Sequence, residues 1–185
     1  MKYFLGAIAG LFLLWLFSAF IFQPFAIPSN SMEPALSTGD RILVNKTAYW
    51  SRPITRGDVV VFDGVDSFSR QSGEYVKRVI GIAGDRVVCC TDSGNLSVNG
   101  SEIQEDSYLF RGDSPSEIEF DALVPPGKIW VLGDHRSESA DSRSHLGDPG
   151  GGFVLESKVV GQAQFVIWPP TRWQRLDSHT FKELN

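Results

Sequence analysis

The chain has little of most things that point to a function. Cysteine occurs twice, as the adjacent pair Cys89 and Cys90. Adjacent residues cannot supply the C-x-x-C spacing of a zinc site, and His135, His145 and His179 lack metal-ligand spacing. No run of five like charges occurs, and a net charge of −5 is spread thinly over 185 residues. That excludes the basic patch of a nucleic-acid binder. Neither a G-x-G-x-x-G nor a Walker pattern is present, so there is no nucleotide loop. Long-period repeats are missing too, and past the first segment there is no amphipathic helix.

Charge is missing most conspicuously from the start. After Lys2 the next charged residue is Glu33, and residues 3–22, YFLGAIAGLFLLWLFSAFIF, are one apolar run of 20. As a helix this run spans about 30 Å, the hydrocarbon thickness of a bilayer. A cleaved secretory signal is the competing reading. Its apolar region usually runs about 7–15 residues before a small-x-small site, whereas this run is longer and leads into QPFAIP. An uncleaved anchor over residues 1–23 is therefore expected. Lys2 and the α-amine are the nearby positive charges, which places the N-terminus in the cytoplasm and residues 24–185 outside.

What is present in that body is strand pattern. Hydrophobic residues make up 42% and charged ones 21%, a folded composition. Residues 39–50, 57–64, 74–90, 96–103, 118–134 and 157–169 are rich in β-branched and aromatic residues. VNG at 98–100 is a hairpin signal. Gly39-Asp40, Gly57-Asp58 and Gly84-Asp85 read as turns that open strands. Residues 64–73 and 147–152 read as exposed loops, and 176–185 as a loosely held tail. The expected fold is mainly β, built of antiparallel sheets behind one N-terminal transmembrane helix. In an extracytoplasmic domain Cys89 and Cys90 form a vicinal disulfide or pair with another chain. The plainer reading, two small residues at a strand end, is favoured.

Two serines, Ser29 and Ser31, lie between Pro28 and Pro34 in PSNSMEPAL. They read either as linker residues or as a nucleophile and a helper. A serine nucleophile needs a base, which is a histidine or a lysine kept neutral by burial. His135 has a dense polar neighbourhood and His145 a loop-like one. Of six lysines, Lys77 in YVKRVIGIAG has apolar surroundings on both sides. Strand alternation does not say whether Lys77 or Arg78 points inward. Arginine does not lose its proton, so Lys77 is the base if either is. Pattern alone favours a solvated lysine on a sheet edge. GDHRSESADSR, residues 133–143, packs Asp134, Arg136, Glu138, Ser139, Asp141, Ser142 and Arg143 into one span. Composition favours a salt-bridged wall there, with an orienting shell for a base as the alternative.

Four segments taken together, PSNSMEPAL, RGDVVVF, YVKRVIGIAGD and LGDHRSESADSR, in this order behind an anchor, resemble the bacterial type I signal peptidases. GQAQFVIWP resembles the family's last core strand, and the adjacent cysteines with GDPGGG look most like an actinobacterial branch. The resemblance implies a coiled-sheet β catalytic domain, with Ser31 as nucleophile and Lys77 as general base. It implies that Ser29 and the Ser31 N–H hold the oxyanion, that Ser139 orients the lysine, and that Asp141 and Arg143 form an ion pair near the site, with Asp134 and Arg136 beside it. It further implies removal of signal peptides from exported preproteins after Ala-x-Ala-type sequences, at the membrane, with no metal or organic cofactor. His135 and Ala35 stand where the family commonly carries Asn and Thr. A non-catalytic, membrane-tethered β module that binds exported chains by strand addition is the alternative.

Overall fold

The computed structural model describes residues 20–69, 73–148, 150–176, 178 and 181. The predicted membrane segment lies almost wholly outside the described residues, among which no helix is long and apolar enough to cross a membrane. The sheet begins inside that apolar run. Strand β1, Phe22–Ala26, pairs antiparallel with β2, Arg41–Asn45, so the chain enters the sheet directly from that run.

The larger sheet has eight strands among the described residues, in the order β1-β2-β11-β3-β4-β9-β10, with β12 on β11. Its further members are β3 (Val59–Asp63), β4 (Glu74–Gly81), β9 (Lys128–Leu132), β10 (Val154–Leu155), β11 (Val159–Trp168) and β12 (Gln174–Arg175). A smaller sheet runs β7-β6-β5-β8, from β5 (Arg86–Cys89), β6 (Leu96–Val98), β7 (Ser101–Glu102) and β8 (Phe120–Leu123). Every named pairing is antiparallel. The body is therefore mainly β, as expected.

Why β3 lies inside the larger sheet is written in its residues. VVVFD has no polar alternation, which suits a strand covered on both faces. Val59 and Val61 pack with Ile42, Val44, Met32 and Leu36 on one side. Val60 and Phe62 pack with Val79, Ile129 and Val131 on the other. By contrast, β2 exposes Arg41 and buries Ile42 and Val44. The long strand β11 serves β2, β3 and β12 in turn. It changes register between Val159 and Gly161, Ala163 and Phe165, and Val166 and Trp168. Such bulges bend a strand and raise its twist, which lets one strand run along a curled sheet. The VNG signal is confirmed: Asn99 and Gly100 both have positive φ, and Val98 faces Ser101 across the turn.

The Gly-Asp pairs form one device used three times. Gly39, Gly57 and Gly84 have φ of +91°, +88° and +90°. Each following aspartate folds its carboxylate back onto the N–H three residues earlier, at Ser37, Thr55 and Ile82. An arginine then caps each carboxylate: Arg172 on Asp40, Arg52 on Asp58 and Arg56 on Asp85. Asp58 is the most engaged, since it also accepts from Tyr49 Oη, Thr55 Oγ1 and Gln162 Nε2.

Three sequence expectations change. The loop at 64–73 is not wholly exposed, because Phe68 is buried against Phe62 and Tyr75. The tail is held at two described residues, because Leu176 and Phe181 join the core and Phe181 packs 6.2 Å from Tyr108. Cys89, at the end of β5, is joined to Cys90 by a disulfide, not left as an unlinked pair.

Replacing the buried Asp58 by alanine would leave several partly buried donors without an acceptor. We expect a loss of about 2–4 kcal/mol in urea unfolding, with an unchanged m-value.

Candidate active site

Ser31 sits on a single turn that follows β1. Glu33 N–H donates to Asn30 O at 3.0 Å and Leu36 N–H to Met32 O at 2.8 Å. Met32 and Leu36, four residues apart on that turn, are both buried in the core, and this pins the turn from beneath. The loop is closed at its base, where Ile27 N–H donates to Asp40 O and Gly39 N–H to Ile27 O, each at 2.9 Å. Its two prolines restrict φ on either side of the serines.

Lys77 and Arg78 both turn out to be buried, which resolves the choice that alternation left open. Lys77 Nζ donates to Ser31 Oγ at 2.7 Å, across 46 residues of sequence. Arg78 goes elsewhere. Its guanidinium takes Asp134 in two hydrogen bonds, at 2.8 and 2.6 Å, donates to Gly57 O, and lies 4.5 Å from the Tyr108 ring centroid. Ser29 Oγ is 3.3 Å from Ser31 Oγ. The Ser31 N–H donates to no acceptor among the described residues.

Residues 133–143 form the wall behind this turn. His135 N–H donates to Ser31 O at 3.2 Å, which ties the Ser31 carbonyl to the wall. A Cβ on Gly133 would collide with Ser31 O and the Ser139 side chain, so only glycine lets the two segments approach this closely. Asp141 chelates Arg143 through both oxygens at 2.8 Å and accepts Gly133 N–H at 3.0 Å. Ser142 Oγ accepts Val131 N–H, which fastens the wall to β9. Arg136 pairs with Glu105 at 2.5 Å, and its Nε donates to Gly133 O. The ion-paired wall predicted from composition is therefore present. Ser139 lies in it, but among the described residues its buried Oγ has no hydrogen-bond partner and makes no bond to Lys77. His135 stacks on Phe110 at 3.8 Å and stands behind the turn, while His145 is held by Asp148 and Phe68.

Sequence reasoning missed Glu105, Phe110 and Gly133. Glu105 and Phe110 sit in polar, loop-like sequence, and nothing local marks their distant partners. Gly133 stands in the charged span 133–143, where nothing local marks its close approach to Ser31.

In front of the dyad opens a cleft of about 340 Å³, lined by Phe25, Ile27, Ser29, Ser31, Tyr75 and Lys77 among others. Burial drives the Lys77 amine down to about 8, and Arg143 pushes the same way. The Asp141 and Asp134 carboxylates pull it partly back up. A buried hydroxyl touching an amine close to neutrality, at the side of a mostly apolar cleft, is the geometry of a hydroxyl nucleophile with its base.

The family described as "Signal peptidase, peptidase S26" matches residues 1–168, and the chain belongs to it. Signal peptidase I of Mycobacterium tuberculosis is 35% identical over 90% of this chain and 72% of that protein. Signal peptidase I of Bacillus licheniformis is 35% identical over 88% of this chain and 85% of that one. A solved signal peptidase I from Enterococcus faecalis V583 is 26% identical with a TM-score of 0.45, covering 60% of this chain and 97% of that one.

The Lys77 shift also bears on stability. Unfolded, a lysine keeps its proton up to about 10.4, whereas in the fold this one releases it near 8. Between those values the unfolded chain binds more protons, so stability rises with pH. Below about 8 the cost of burying the charge is present in full. Lys77→Met is therefore expected to stabilise the fold by about 2–3 kcal/mol at pH 7, with the gain shrinking towards pH 10 in thermal unfolding.

Proposed function

We propose that the protein is a membrane-anchored serine endopeptidase that removes signal peptides from exported preproteins after small residues of the Ala-x-Ala type. The observation that carries this is the 2.7 Å contact between Lys77 Nζ and Ser31 Oγ inside the cleft. Neutral Lys77 takes the proton of Ser31 as Oγ attacks the scissile carbonyl. The oxyanion is held by the Ser31 N–H and the Ser29 hydroxyl, both adjacent to Oγ and available. The Lys77 ammonium then protonates the leaving amine, which releases the mature chain. Lys77, neutral again, deprotonates the water that hydrolyses the acyl-enzyme. Ser139 lies beside Gly133 in the wall behind the Ser31 turn.

The sheet supplies a docking rail. Along Glu74–Lys77, β4 pairs with β3 on one edge, whereas its pairing with β9 begins only at Arg78. An extended substrate can lie along that open edge and reach the dyad. The apolar run at 3–22 would hold the body to the bilayer, N-terminus inside and residues 24–185 outside. Where the described chain leaves that run, exposed Phe20 packs on exposed Trp50, with Lys46 5.5 Å from the Phe20 ring centroid. An aromatic pair with a nearby cation suits a membrane–water boundary.

The test is cleavage of a preprotein with an Ala-x-Ala site by the full chain in detergent. Ser31→Ala and Lys77→Ala are expected to lose about 10³-fold or more, and Ser29→Ala about 10²-fold in kcat. Retention of parental rates by Ser31→Ala or Lys77→Ala would sink the proposal. Substrate binding without turnover by the parent would favour the non-catalytic β module.

The active base is the neutral amine, so kcat/KM should fall about tenfold per pH unit below an apparent pKa near 8. His135→Asn should leave that midpoint in place. A midpoint that moves with His135 would transfer the role of base away from Lys77.

A further inference from the structure

Glu74 lines the cleft and has no part in the chemistry above. It opens β4, exposed to solvent, three residues before Lys77. Apart from Lys77 it is the one charged residue in the cleft lining among the described residues. Its carboxylate makes no hydrogen bond or ion pair with them. Directly across the ladder on β3 stands Asp63, whose Oδ1 accepts the N–H groups of Val65 and Gly73. Like charges opposite one another on adjacent strands oppose sheet formation, so Glu74 does not help the rung it occupies. Glu74 lies at the start of the stretch of β4 that β9 does not pair, three residues from Lys77.

We propose that Glu74 is a specificity-determining residue, which reads the charge of the substrate residue four positions before the scissile bond and favours lysine or arginine there over aspartate or glutamate. This rests on the endopeptidase reading above, in which the residues before the bond lie extended along Glu74–Lys77. A strand advances about 3.3 Å per residue, so the register of Glu74 falls roughly 10 Å from that of Lys77, three residues along the substrate. Flexible glutamate and lysine side chains span the remaining offset. At the solvent-exposed mouth such a pair is modest and screened by salt. It therefore modulates selection while Ser31 and Lys77 carry out the chemistry.

The full chain in non-ionic detergent is assayed on three peptides that share one Ala-x-Ala site and differ only by Lys, Gln or Glu at the fourth position before the bond. In kcat/KM the parent should prefer the Lys peptide to the Glu peptide by about five- to tenfold at low salt, with Gln between, and 0.5 M salt should compress the series. Glu74→Gln should bring the Lys/Glu ratio close to one, and Glu74→Lys should invert it. Equal parental rates on all three peptides, or a Lys/Glu ratio that Glu74→Gln leaves intact, overturn the assignment while the peptidase reading stands. A parent that cleaves none of the three overturns both.

Discussion

A buried amine that must stay close to neutrality is the constraint around which the rest of the site is arranged. Lysine loses its charge readily only when water is kept away, and Lys77 is 4% exposed. A nearby carboxylate would undo this by holding the amine as an ammonium. Two aspartates do lie within its electrostatic reach, and both are engaged by arginines: Asp134 by Arg78, and Asp141 by Arg143. Each pair removes a carboxylate that could have claimed the lysine. The dense ion pairing of the wall is thus what makes an uncharged base compatible with an acidic neighbourhood. Breaking such a pair would leave an aspartate able to hold Lys77 as an ammonium.

The second requirement is closeness. Ser31 reaches the lysine because its turn is pinned by Met32 and Leu36 below, by His135 N–H behind, and by a side-chain-free Gly133 against its carbonyl. The Gly-Asp turns do similar work further out. The turn ending at Asp40 closes the base of the nucleophile loop and is braced by Arg172 from the far end of the chain. That at Asp58 lies just before β3, the strand that carries both core layers. One local geometry, repeated at three places, holds the frame in which a 2.7 Å contact is maintained across 46 residues.

Much of this was legible in the sequence. The strand segments, the VNG hairpin, the Gly-Asp turns and the charged wall all follow from local pattern, because alternation, positive-φ glycines and turn-forming aspartates act over a few residues. The candidate pair Ser31 and Lys77 came from resemblance and from the chemistry of bases; periodicity alone favoured a solvated lysine. Phe68, Leu176 and Phe181 were misjudged because an apolar residue in polar sequence shows its destination only once the core exists. Glu105 was invisible for the same reason, since its partner Arg136 lies 31 residues away.

The sequence by itself determined the class of fold, the turns that open its strands and the chemical types available for catalysis, because these depend on backbone preference and side-chain identity. The tertiary structure alone decided that Lys77 meets Ser31 while its neighbour Arg78 meets Asp134. It also decided that the amine is buried and that β9 pairs with β4 only from Arg78 onward. Burial, dielectric and strand pairing belong to the assembled sheet, and no short stretch of residues carries them.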